Sequence, residues 1–243
     1  MGLDGFWWLF ATIAVAGIVR GFTGFGTALI FVPVAGLFLP TADIIVLITL
    51  TGIASTTALL PRAWRQGNRP EALILLVAAL PTVPVGIWVM GWLDGDIVRW
   101  IVAVVAGVTL VSVMTGLRYD GRIGWAGLLG IGALAGLVGG MTGLTGPVVI
   151  IAYLASRHDA QEVRANTILF LAGLDMVIFA NLVFGGQVTW ALVGAAAALA
   201  VPYFATTLLG QSLFDPRFER VYRSAAYGVI ALAVLTGLPL WEG

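Results

Sequence analysis

Cysteine and lysine are absent from the 243-residue chain, histidine occurs once, and charged residues make up only 10%. Without cysteine there is no disulfide framework and no thiolate chemistry. A single histidine, His158, excludes the paired histidines of an H-E-x-x-H metalloprotease. A Ser/His nucleophile would have to use that same residue, which lies in a loop of charged residues. An aspartyl pair needs two acids at membrane depth, and only Asp175 is set deep in an apolar run. There is no phosphate-cradling loop for ATP, and net charge is zero, so no basic footprint points to nucleic acid. These absences predict a protein that is not an enzyme and carries no cofactor and no metal.

What the chain has instead is apolar length. It is 60% hydrophobic, with a mean hydropathy of +1.04, where a soluble domain carries about 25% charged residues. Apolar runs recur from end to end without the alternation of an outer-membrane barrel. The opening MGLDGFWWLF has an acid where a signal peptide would be basic, and it reads as a retained first helix. Hydropathy and turn signals predict ten segments, at roughly 5–19, 27–39, 42–60, 71–92, 97–117, 123–138, 146–156, 165–184, 188–213 and 220–238. Segments one, two, six and seven read as too short to cross. Prolines 81, 84 and 202 should kink the helices that hold them. Trp7, Trp8, Trp92, Trp100, Trp125, Trp190 and Trp241 lie near segment ends, as interfacial anchors do.

The short segments come in two similar pairs. AGIVRGFTGFG at 16–26 matches AGLVGGMTGLT at 135–145, with Ala16, Gly17, Val19, Gly21, Thr23 and Gly24 meeting residues 119 positions later. The same offset places Gln66-Gly67-Asn68 on Gly185-Gly186-Gln187, and Gly91 on Gly210. The predicted fold is all-α and polytopic, with two repeats of five segments, 1–118 and 119–243, forming one membrane domain. Five is odd, so the second repeat should be inverted. Arginine placement agrees: Arg62, Arg65, Arg69, Arg118, Arg122, Arg157, Arg164, Arg217, Arg220 and Arg223 fall on one side, and Arg99 on the other, leaving Arg20 aside. The positive-inside rule makes the first side cytoplasmic and puts both termini outside. Ten crossings, or six crossings plus two re-entrant hairpins, satisfy this equally.

Short, Gly-interrupted segments at matching positions of inverted repeats point to a transporter's binding site. Glycine lets a ligand approach the main chain, and the helix that follows offers free N–H groups and a positive dipole end to an anion. The candidate substrate-binding residues are Arg20, Gly21, Thr23, Gly24 and Gly26 in the first copy, with Gly140, Thr142, Gly143, Thr145 and Gly146 in the second. Two tight turns with close helix packing would also explain the glycines. Arg20 is either a ligand for anionic oxygens or a side chain snorkelling to the surface. Asp175 is either a proton carrier in coupled transport or a structural acid, with Asn181 as a partner. Asn166, Thr167 and Asp43 read as helix caps.

AGIVRGFTGFGTALIFVPV, AGLVGGMTGLTGPVVIIAYL, the RQGN turn after segment three and RANTILF opening segment eight resemble the sulfite exporter TauE/SafE family, from about residue 10 to 238. The resemblance implies a bacterial inner-membrane carrier exporting sulfite, sulfoacetate or related organosulfur anions. Arg20 stands where that family often has a small or apolar residue, which implies a subgroup with its own substrate. The implied partners are a small anionic substrate and the lipid bilayer, with a homo-oligomer left open. The competing expectation is a passive anion channel or a non-transporting membrane subunit.

Overall fold

The computed structural model describes residues 3–115, 123–154, 160–213 and 219–238. The described residues are entirely helical in their regular structure. The helices are α1 (Leu3–Thr23), α2 (Thr27–Ala35), α3 (Thr41–Gln66), α4 (Arg69–Ala79), α5 (Thr82–Met90), α6 (Gly95–Thr115), α7 (Trp125–Thr142), α8 (Pro147–Leu154), α9 (Ala160–Phe184), α10 (Trp190–Ser212) and α11 (Glu219–Thr236). Four of them, α6, α7, α9 and α10, are long and apolar enough to cross a membrane. The count reaches six when the bent α3 and the bent α4–α5 pair are each taken as one span. The chain is therefore a multi-pass membrane protein.

All ten predicted segments are helices, with three differences of detail. Segments one and six are not short. α1 has 21 residues and α7 has 18, about 31 and 27 Å at the α-helical rise. Gly21 and Gly140 lie inside these helices, where packing holds them, while Gly24 and Gly143 end them; of the four segments read as short, only α2 and α8 are, at 9 and 8 residues. The second difference is a break at Leu80-Pro81, which separates α4 from α5 at 45°. Pro81 has no N–H to give to the ladder. Pro84 sits harmlessly in the first turn of α5, and α10 runs unbroken through Pro202. The third is a 57° bend in α3 between Ile53 and Ser55, beside Gly52, with no proline at that point to announce it.

Caps set two of the starts. The Asn68 side chain accepts from Glu71 N–H at 3.3 Å with Pro70 in the first turn of α4, and Thr189 accepts from Leu192 N–H at 3.3 Å to open α10. The expected caps at Asp43, Asn166 and Thr167 are not caps. Asp43 sits in the first turn behind Pro40, while α9 begins six residues before Asn166. Asn166 is instead fully buried and joins two helices. Its side-chain oxygen accepts from Asn68 N–H at 2.6 Å, and its amide nitrogen donates to Glu71 at 3.4 Å. RQGN and RANTILF, apart in sequence, thus meet in space.

Packing is reciprocal between the two halves. α1 lies along α10 as α7 lies along α4 and α5; α3 packs on α10 as α9 packs on α4; α2 meets α11 as α8 meets α6; α3 and α9 cross at the centre. Glycine makes these crossings close. A Cβ on Gly21 would strike the Thr207 carbonyl of α10, and one on Gly140 the Val83 carbonyl of α5. From the opposite side, Gly210 abuts Ile18 and Gly86 abuts Leu137. Ile18 and Leu137 are 119 residues apart, but Gly86 and Gly210 are 124 apart. The expected match of Gly91 with Gly210 is therefore corrected to Gly86, and Gly91 merely ends α5. The α10 route is five residues longer than the route through the broken α4–α5. Outward, Trp7, Trp8, Trp92, Trp100, Trp125 and Trp190 are exposed near helix ends, in agreement with interfacial anchoring, while Trp241 lies outside the described residues.

Gly21→Ala and Gly140→Ala should each cost about 1–3 kcal/mol by overpacking, lowering the melting temperature by about 3–10 °C. Gly130→Ala, where no atom lies within 4 Å, is the control. A thermal melt in detergent that finds all three alike would contradict the close crossings.

Candidate anion cavity between two helix breaks

Both long first helices end by the same device. Gly24 has φ 83° and Gly143 has φ 76°, a left-handed conformation in which a Cβ would be strained. Gly24 N–H donates to the Arg20 carbonyl at 2.8 Å, and Gly143 N–H to the Gly139 carbonyl at 2.9 Å. The preceding threonine completes the cap. The Thr23 hydroxyl donates to the Val19 carbonyl at 2.7 Å and accepts from Phe25 N–H at 3.2 Å. The Thr142 hydroxyl donates to Val138 at 2.7 Å and accepts from Leu144 N–H at 3.1 Å. These are the helix-terminal groups that need partners when no water is at hand.

The chain then restarts as α2 and α8, whose N-termini face a shared cavity of about 30 Å³. In α2 the cap residue Gly26, at φ 98°, supplies no side-chain bond, and the first intrahelical contact of this turn is Ile30 N–H to the Gly26 carbonyl. In α8 it is Ile150 N–H to the Gly146 carbonyl, and Pro147 at the first position has no N–H to leave unpaired. First-turn N–H groups and the positive dipole ends of two helices are thus directed at one space.

Of the candidate residues, Arg20, Gly26, Gly143, Thr145, Gly146 and Asp175 line the cavity. Gly21, Thr23, Gly24, Gly140 and Thr142 do not. Gly21 and Gly140 are packing positions, and the two threonine hydroxyls are committed to the helix ends. Arg20 is 5% exposed and so does not snorkel. Its Nη2 donates to Thr56 of α3 at 3.0 Å, while its Nε is buried without a hydrogen-bond partner among the described residues. Asp175, in the middle of α9, is 9% exposed and makes no hydrogen bond among the described residues. Its Oδ2 lies over the bare face of Gly52 in the bend of α3, 3.3 Å from where a Cβ would stand. Asn181 is not its partner, because that amide donates to the Val177 carbonyl at 2.8 Å. His158 falls outside the described residues.

Sequence reading missed Thr27, Thr49, Gly52 and Tyr203, which also line the cavity. Thr27 and Tyr203 share a hydrogen bond between their hydroxyls. Tyr203 lies in α10 beside Pro202, far from either glycine motif in sequence, and no local signal marks it. Gly52 had a signal: it stands one helical turn before Thr56, the residue aligned with Asp175. Arg164 was also missed, read as a loop charge; its Nη2 donates to the Gly21 carbonyl at 2.7 Å and its stem lies against Gly24.

Residues 9–237 match the family described as "Sulfite exporter TauE/SafE". The chain is 26% identical over 230 residues to a protein of Cupriavidus necator named "Probable sulfite/organosulfonate exporter TauE", covering 90% of each chain. No solved structure matches.

Gly24→Ala and Gly143→Ala should each destabilise the fold by about 1–2 kcal/mol, the cost of a left-handed residue with a Cβ. Thr142→Val should cost a similar amount by leaving Leu144 N–H unpaired. Denaturation midpoints unchanged in these variants would show that the breaks are not held this way.

Proposed function

Because the chain belongs to the sulfite exporter TauE/SafE family, a family of exporters rather than enzymes, we propose that it is a secondary transporter that exports sulfite or a small organosulfonate across the bacterial inner membrane. The anion binds between the N-termini of α2 and α8 with Arg20 as its charged ligand. The observation that carries this reading is the convergence of two helix N-termini and a 95% buried arginine, its Nε unpartnered, on one cavity. A guanidinium presents parallel donors that suit a tetrahedral or pyramidal oxyanion.

Reciprocal packing of the two halves supports two repeats, 1–118 and 119–243, and the arginine distribution supports their inversion with both termini periplasmic. An inverted pair gives a carrier two related arrangements about one fixed site, which is the basis of alternating access. The cavity, at about 30 Å³, holds roughly two waters. A cavity that small favours a carrier that opens to one side at a time over an open anion channel.

Outward movement of an anion is favoured by about 2.3 kcal/mol per charge per 100 mV of inside-negative potential. Uniport therefore suffices energetically, but Asp175 lines the cavity without a hydrogen-bonding partner and is placed to take up a proton with the anion. Arg20 in the same cavity offsets its charge while the site is empty, but an anion that takes up the arginine leaves a buried carboxylate that is costly unless neutralised. Its protonation when the anion enters keeps the loaded site near neutrality.

Sulfite and organosulfonate flux in proteoliposomes at fixed pH and voltage should saturate, and Arg20→Ala should reduce it at least about tenfold, the loss expected for a charged hydrogen-bonding ligand. Asp175→Asn should retain flux while removing its dependence on a pH gradient. Unchanged saturable flux in a folded Arg20→Ala protein would remove the arginine from the site. Flux through Asp175→Asn that still follows the pH gradient would leave coupling to another group.

A further inference from the structure

The end of the bundle where α1, α3 and α10 finish and α9 begins holds a second recess, separate from the cavity above. Its polar walls are Arg62 and Gln66 of α3, Arg164 of α9 and Gln211 of α10, over an apolar floor of Leu59 and Ile168. Among the described residues no carboxylate lines it. Two guanidiniums that share a recess repel, and a small anion between them converts the repulsion into two attractions. The two primary amides add donors that follow no sign of charge.

The last turn of α1 stands between the recess and the cavity: it gives Arg20 to the cavity and touches Arg164 and Gln211 of the recess lining. Arg20 projects on the cavity side. The next residue, Gly21, gives its carbonyl to Arg164 at 2.7 Å and packs its bare face on the backbone of Thr207 and Gln211. Gly24, which ends the turn, lies against the Arg164 stem. One arginine therefore holds the turn that carries the other.

Other charges at this end have other engagements. Arg69 stacks over the Trp64 ring at 5.3 Å, and Glu71 accepts from Asn166. Arg62 is exposed at the mouth, while Arg164 is half-buried behind it, an order that leads from solvent inward. This end carries Arg62, Arg65, Arg69 and Arg164, and by the positive-inside rule it faces the cytoplasm. An exporter must collect its cargo there.

We propose that this recess is a loading site for the exported anion, in which Arg62 and Arg164 capture a small oxyanion of the sulfite or sulfonate class and pass it across the last turn of α1 to Arg20. It rests on the transport reading given above. The volume, about 10 Å³, admits one water-sized group, so the anion seats one oxygen between the arginines and keeps the rest at the mouth. An oxyanion on Arg164 competes with the Gly21 carbonyl for the same donors. Winning that competition frees the turn that bears Arg20, so arrival of cargo loosens the partition in front of the cavity.

The test uses equilibrium binding of radiolabelled sulfite to the whole purified protein in detergent, beside flux in proteoliposomes loaded from a defined side. The intact protein should bind two sulfite ions, Arg62→Gln one, and Arg20→Ala one. In flux, Arg62→Gln should raise KM about 3- to 10-fold, as removal of a steering charge at a mouth does. Vmax should hold, and the effect should appear only when the Arg62 side supplies the anion. Arg62→Lys should restore most of it. Because Arg62 is exposed, its loss does not endanger folding. A single site in the intact protein that survives Arg62→Gln and disappears in Arg20→Ala overturns the loading site and leaves the transport reading intact. Two sites without any flux would overturn the transport reading while leaving the recess an anion site. A KM change of equal size from both sides would also overturn it.

Discussion

A backbone that stops being helical among apolar helices must find partners for its own N–H and C=O groups, at several kcal/mol for each one left bare. Everything distinctive in this chain follows from how it meets that demand twice. At Thr23-Gly24 and Thr142-Gly143 the left-handed glycine returns its N–H to the helix, and the threonine hydroxyl serves a carbonyl behind it and an N–H ahead. With the outgoing helix ends satisfied internally, the incoming ones, at α2 and α8, are left to face a shared space. The positive ends of two dipoles and Arg20 then collect in one cavity, beside Asp175, and that gathering of positive charge is the basis of the anion site we propose.

The two halves use one plan and differ where chemistry is wanted. Arg20 faces Thr56 in the first half, and the aligned residues in the second are Gly139 and Asp175. One half supplies the cation and the other the acid. Arg164 lies against Gly24, whereas the aligned Ile45 lies against Gly143. The end of α1 is therefore held by a charged, exchangeable contact and the end of α7 by an apolar one. A carrier that alternates between two faces has a loading side and a release side, and this inequality is consistent with that polarity.

Much of this was legible in the sequence. Ten helical segments, the interfacial tryptophans and the meeting of Arg20, Gly26, Gly143 and Gly146 follow from apolar length, aromatic position and one repeated motif, whereas Asp175 is marked in sequence by its depth in an apolar run and not by its place beside them. The errors share a cause. Gly21 and Gly140 look like Gly24 and Gly143 in one dimension, but the first pair are seats for a neighbouring helix and only the second pair end a helix. Which role a glycine has depends on what approaches it, and that partner, Thr207 or Val83, is far away in sequence. The same is true of Asn166, whose burial against Asn68 and Glu71 no local pattern displays. Tyr203 reaches the cavity only because α10 lies along α1.

The most direct measurement is the structure of the protein with selenite, a close chemical relative of sulfite, located by the anomalous scattering of selenium. The peak expected lies between the N-termini of α2 and α8, with its oxygens about 3 Å from the Arg20 guanidinium. A peak confined to the surface, or one in the bundle out of reach of Arg20 and both helix N-termini, would contradict an anion site built on the two glycine breaks.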